Sequence, residues 1–328
     1  LDGYQWTVAG GYQGMEAGTG YYSQSNEIDA WIAAEGETLG FDSEASFTER
    51  ENGLQNLSDS FMVETRTTSF TGSTTYDPDP LITVTGNLDA AVSARLESVT
   101  GGAEVPSDQE YSLLPRASGR ISIRSLDLLF RTSYFLRLLG EPGAQPQQDL
   151  DFTAGFEATL PWSMVVAGHA GVHWDFSAGL EYPWMVSVQA VVGDSLELGA
   201  SGGYRVERTL LSDLWMRPPF AIAGTGTAPL ANNSVWFGGV NGNWTGASGF
   251  SLRSSVRFLS ESAEVQVLPY DDADDEYPFT QVATMSLIPS VEAAWQLSPA
   301  WQFEAGYRGN FLDRFDYEPG SSITGAVR

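Results

Sequence analysis

The chain contains no cysteine and no lysine. Without thiols there are no disulfides and no thiolate metal sites. All 16 basic residues are arginine, a bias that GC-rich codon usage explains without any role in binding. Against them stand 42 acidic residues, for a net charge of −26. A nucleic-acid-binding surface needs a basic face, so nucleic acid is not an expected partner. No apolar run reaches the roughly 20 residues of a membrane-spanning helix. Charged residues are scarce, at 18% of the chain against roughly 25% in soluble domains. Disorder does not follow, because aromatics make up 12% and disordered chains lack them. The opening residues, LDGYQWTVAGG, read as a strand and not as a signal peptide. Any targeting segment has therefore been removed or lies outside this sequence.

What is present is alternation with period two. Over 82–96, Ile82, Val84, Leu88, Val92 and Leu96 share one face, and Thr83, Thr85, Asn87, Asp89 and Arg95 share the other. A strand separates these sets and a helix would mix them. The same separation recurs in 152–160, 164–174, 196–207, 250–258 and 301–311. Short turns carry Pro and Gly: LPWS at 160–163, YPWM at 182–185, GDS at 193–195, TGAS at 245–248 and LSPA at 297–300. Longer polar connections are expected over about 50–60, 99–116, 140–150, 209–233 and 260–280. The expected total is 14 to 16 strands, mostly 9 to 14 residues long, with residues 164–182 forming one strand or two joined near Asp175. Soluble strands cluster near 5–6 residues, whereas a tilted strand crossing a bilayer needs roughly 9–11.

Three features turn the apolar face toward lipid. The strands are long. The faces mix Gly and Ala with large residues, which would leave voids in a packed soluble core. Aromatics gather beside turns, at Trp162, Trp174, Tyr182, Trp184, Trp244, Trp295 and Trp301, as in an interfacial girdle. Backbone groups in lipid must all be paired, so the sheet must close. The expected fold is all-β: a closed antiparallel transmembrane β-barrel, one domain over 1–328, with short turns on one side and longer loops on the other.

The runs VEAAWQLSPAWQFEAGYRGNF (291–311) and VVGDSLELGASGGYRVE (191–207) resemble hairpins of Gram-negative outer-membrane barrels, and the style covers most of 80–312. The resemblance is to that class in general. It implies location in the bacterial outer membrane, with membrane lipid and small solutes as partners. Barrels of this class end on a strand with a C-terminal aromatic. This chain ends ITGAVR, so a final strand is expected to be missing or trimmed away.

No enzyme signature emerges. His169 and His173 are the only histidines. On a strand they share a face about 13 Å apart, too far for one metal ion. No serine sits in a nucleophile elbow. DDADDE at 271–276, like Asp77 and Asp79, reads as solvated loop and not as a calcium site. The sequons at Asn56, Asn232 and Asn243 are expected by chance. No metal, no cofactor and no catalytic residue is therefore expected.

The inward face carries the candidate site. It places Arg205, Arg253, Arg257 and Arg308 with Glu157, Glu197, Glu207, Glu292 and Glu304, beside His169 and His173. Such charges either set up a transverse field that orients permeating solutes or pair and fill the lumen. The expected function is a porin-like channel or transporter for small solutes. The alternatives are a structural or adhesive barrel with a plugged lumen, and a secreted soluble β-protein.

Overall fold

The computed structural model describes residues 3–16, 21–54, 61–99, 105–140, 144–215, 230–246, 249–268, 279–298, 301–312 and 321–327. Nearly all of them are strand. In chain order these are β1 (Gly3–Glu16), β2 (Tyr21–Glu35), β3 (Leu39–Leu54), β4 (Phe61–Asp79), β5 (Ile82–Val99), β6 (Val105–Ile123), β7 (Leu126–Leu139), β8 (Gln147–Leu160) and β9 (Met164–Asp175). There follow β10 (Gly179–Glu181), β11 (Trp184–Val192), β12 (Leu196–Glu207), a short helix α1 (Leu211–Trp215), β13 (Asn233–Thr245), β14 (Phe250–Val267), β15 (Phe279–Ser298), β16 (Trp301–Gly309), β17 (Phe311–Leu312) and β18 (Ser321–Val327).

The strands form one antiparallel sheet in which, apart from two interrupted strands, each pairs with its sequence neighbour. Both β10 and β11 pair with β9, and both β16 and β17 pair with β15. The 18 strands among the described residues therefore make 16 staves, each interrupted pair counting once. Among the described residues no ladder joins β1 to β18.

The connections on one side are all short, and those on the other are mostly longer, the three-residue turn 176–178 excepted. On one side they are residues 36–38, 80–81, 124–125, 161–163, 193–195, 246–249 and 299–300. On the other they include 55–60, 140–146, 208–232, 268–278 and 313–320. The short turns use left-handed backbone at Arg124 (φ 55°), Trp162 (φ 66°) and Gly193 (φ 63°). Tight hairpins favour such turns because their twist matches that of the strands.

The walls are inverted relative to a soluble protein. Val84, Leu88, Val92, Val240 and Val256 are exposed, and Trp162 is 88% exposed. Register makes the exposed set one continuous outer face: Val84 lies between Tyr76 and Gly119, and Val240 between Ala200 and Val256. Two aromatic belts bound it. Trp162, Trp244, Trp295 and Trp301 lie toward the short turns; Trp174, Tyr182, Trp184 and Trp236 lie toward the long connections, and all are exposed. Trp236 and Trp244 share β13. Their eight-residue interval runs about 26 Å along the strand, or about 20 Å of height at a tilt near 40°, close to the apolar band of an outer-membrane barrel.

Several strands outrun the expected 9 to 14 residues: β4 and β6 have 19 and β15 has 20. Most of 99–116, both ends of 260–280 (260–267 and 279–280) and the end of 140–150 are strand and not loop, while 269–278 lie outside the described residues. The reason lies on the outer face. Past Phe47 on β3 it turns polar, with Glu49 accepting from Asn26 (3.1 Å) and Arg66 (3.1 Å), and Glu51 from Gln24 (2.8 Å). Polar residues on both faces erase the alternation while the ladder continues beyond the apolar band. YPWM at 182–185 is a break within one stave and not a turn between two; the turn follows Asp175. The terminal ITGAV stretch is part of β18, paired with β16.

Candidate functional site: a polar interior with an inward segment

The inner face follows from register. On β5, Thr83, Thr85, Asn87, Asp89 and Arg95 stand opposite the outer apolar row, and Ser93 and Arg95 are buried. The most buried large side chains include Arg95, Arg137, His173 and Glu110. Such groups tolerate burial only when paired.

Two of them, Glu110 and His173, meet the described ends of the connection between β12 and β13, at Leu211, Ser212 and Asn232. Its helix α1 buries Leu211, Leu214 and Trp215, and with Leu230 these pack against Leu139, Val265 and Phe279 of β7, β14 and β15. Glu110 of β6 holds the helix start. Its carboxylate accepts from the backbone N–H of Leu211 (3.1 Å) and Ser212 (2.9 Å), and it pairs with Arg137 of β7 (2.5 Å). One carboxylate thus serves helix N–H groups that have no intrahelical acceptor.

A second anchor holds both ends of the segment to β8 and β9. Arg208 donates Nε to Asp149 (3.0 Å), pairs also with Asp151, and lies over the Phe135 ring at 5.0 Å. His173 Nδ1 meets Asp151 at 2.5 Å, and Ser133 donates to Asp151 at 2.8 Å. Asn232, at the return, donates to Asp175 (3.1 Å) and accepts from Gln147 (3.0 Å). Next to it, Gln281 of β15 bonds both the N–H and the carbonyl of Ala231, each at 2.9 Å. Among the described residues no group of three or more metal-ligating side chains is placed to hold a metal ion.

The residues expected from the sequence to line the interior are divided among several places. His173 belongs to the buried anchor. His169 and Arg205 border a recess of about 600 Å³ enclosed by β5 to β9, β11 and β12. There His169 lies over Gly155, where an added Cβ would come within 2.8 Å of the His169 Cβ. Arg205 pairs with Glu207 along its own strand (2.6 Å) and lies 5.1 Å from the Phe237 ring. Arg253, Glu292 and Glu304 border a separate recess of about 540 Å³ between β14, β15, β16 and β18. Arg257 lies opposite Gly239 and Ile288, and Arg308 opposite Ser290 and Ser322. The acidic run 271–276 lies outside the described residues.

Sequence reasoning missed Glu110, Arg137, Asp149, Asp151, Asp175, Arg208 and Asn232. Signals for some were there. Asp149 and Asp151 alternate within a strand, and LLSDLW places Leu211, Leu214 and Trp215 at helical spacing inside a connection expected to be polar.

No protein-family model matches the chain, and no curated protein matches it. Solved structures do. The ferric enterobactin receptor PfeA of Pseudomonas aeruginosa aligns with TM-score 0.67 at 8% identity, over 94% of this chain and 55% of the receptor. The fold is that of the bacterial outer-membrane barrels. The copper transporter OprC aligns with TM-score 0.67 at 9% identity, over 93% of this chain and 56% of its own. The alcaligin receptor FauA of Bordetella pertussis aligns with TM-score 0.54 at 8% identity, over 92% and 56%. The chain therefore spans little more than half the length of these neighbours. At such identity the likeness is one of fold.

Proposed function

We propose that the chain is a closed barrel of 16 staves in the outer membrane of a bacterium, one domain throughout, and that it carries small solutes through a polar lumen. The observation that carries this reading is the pairing of an apolar outer face between two aromatic belts with a charged inner face. The named neighbours handle ferric enterobactin, alcaligin and copper, which supports small solutes as cargo. The inward segment sets this chain apart from a wide-open pore. Arg208, α1 and Ala231–Asn232 occupy lumen on the side of the long connections, so passage is narrow there and favours a selective route.

A second reading has a specific observation behind it. The same segment, anchored at Glu110, Asp149, Asp175 and Gln281, suits a permanently plugged barrel whose outer side is adhesive or structural. Single-channel recording in planar bilayers separates the two. Discrete conductance steps that grow when Glu110 is replaced by alanine support passage. Silence in both proteins supports the plugged barrel. Heat-modifiable migration in SDS tests closure in either case; its absence removes both readings.

A further inference from the structure

We infer that the recess between β5 and β12 is a binding site for a small multivalent oxyanion, a carboxylate or phosphate compound. The inference rests on the reading of the inner face as a water-filled lumen and names the ligand chemistry of that lumen. In a chain of net charge −26 this recess is bordered by five arginines, Arg116, Arg120, Arg131, Arg205 and Arg208, and by a single carboxylate, Asp151.

Three of the arginines are brought together by register. Arg116, Ser118 and Arg120 lie on the inner face of β6, and Ser118 is directly opposite Arg131 of β7. Arg116 and Arg120 are thus both diagonal neighbours of Arg131, within roughly 8 Å at the Cβ. On its other side Arg131 faces Thr153 of β8, itself opposite Gly171 of β9. Small residues leave the space before Arg131 open, and it is exposed to that space.

Five carboxylates match the five guanidiniums in number but are shared unevenly, which leaves Arg131 without one. Arg116 pairs with Asp89 and Arg120 with Asp127. Arg205 pairs with Glu207, and Arg208 is shared by Asp149 and Asp151. Among the described residues Arg131 has no carboxylate within ion-pair distance. Each ion pair of Arg116, Arg120 and Arg205 engages one nitrogen, while a guanidinium carries five N–H donors. Arg131 and the remaining donors of its neighbours therefore offer several charge-assisted bonds to one guest. Planar forks suit carboxylate and phosphate oxygens, and one guest spanning two guanidiniums relieves their mutual repulsion.

The test is isothermal titration of the purified full chain in detergent, at low ionic strength, with citrate and with pyrophosphate as separate probes. Saturable binding of either probe is expected, weakening as salt rises, and the two arms tell carboxylate from phosphate recognition. Arg131→Gln should weaken binding at least about 10-fold. Arg131→Lys keeps the charge but loses the fork, and should weaken it by a smaller factor. Arg66→Gln, on the outer polar rim, should leave it unchanged. If Arg131→Gln fails the heat-modifiability check, Arg131→Lys carries the comparison. Binding of neither probe, or equal loss in Arg66→Gln and the Arg131 variant, overturns the inference. Conductance in bilayers without probe binding would sink this inference alone; probe binding without conductance would sink the channel alone.

Discussion

Two regions of the wall obey opposite rules. On the outer face of β13 and β14, Val240 and Val256 oppose each other and are exposed, Val240 at 57%. On the inner face of β6 to β9, Glu110, Arg137 and Asp149 are 2% exposed or less. A soluble protein would exchange these environments. The contrast fits the proposed barrel, in which the solvent outside is hydrocarbon and the polar groups inside offset their desolvation through one another. The two faces should then respond to the same kind of substitution with opposite sensitivities.

The largest effect is expected inside. Glu110→Ala strips the partner from buried Arg137 and the acceptor from Leu211 and Ser212. Breaking a buried ion pair costs about 3–5 kcal/mol. The loss should appear as a fall of roughly a hundredfold or more in amide-exchange protection at Leu211 and Ser212, with the strands still protected. Unchanged protection would mean that the helix is held by its apolar contacts alone.

Next comes the outer face. Val240 lies four residues from each of Trp236 and Trp244, so Val256 beside it sits near mid-height. Val256→Arg should destabilise the barrel by about 2–4 kcal/mol in reversible unfolding from lipid. Ser255→Arg, one residue along and facing inward, should cost about 1 kcal/mol, mainly the bond from Ser255 to Ser290 (2.7 Å). Equal costs would erase the distinction between the faces.

The smallest effect concerns charge in the lumen. Among the described residues Arg253 and Arg257 have no carboxylate at ion-pair distance. Replacing both with Gln should raise the cation/anion permeability ratio read from the reversal potential, and the shift should shrink at high salt, where fixed charge is screened within roughly 3 Å at 1 M. An unchanged reversal potential would remove these residues from the conduction path.

Legibility in the sequence followed the same contrast. Where one face is apolar and the other polar, as in 82–96 or 250–258, alternation is clean and the strands could be read off. Where strands rise past the apolar band, both faces are polar, and Glu49, Glu51 and Arg66 hid the upper parts of β3 and β4. That Arg205, Arg253 and Arg257 lie opposite the exposed apolar row was legible because facing is a local property of a strand. Their division between separate recesses was not, because it depends on which staves curve together. The anchor was hidden for a further reason: Gln147 and Asn232 are 85 residues apart, and no local pattern joins them.

The most direct measurement is a depth profile on β5. Because the chain lacks cysteine, single cysteines introduced at Val84, Thr85, Leu88 and Asp89 can each carry one spin label in the reconstituted protein. Labels at positions 84 and 88 should relax faster with oxygen, which partitions into lipid, and labels at 85 and 89 with an aqueous nickel chelate. Equal access of the nickel chelate at all four positions would contradict the transmembrane barrel.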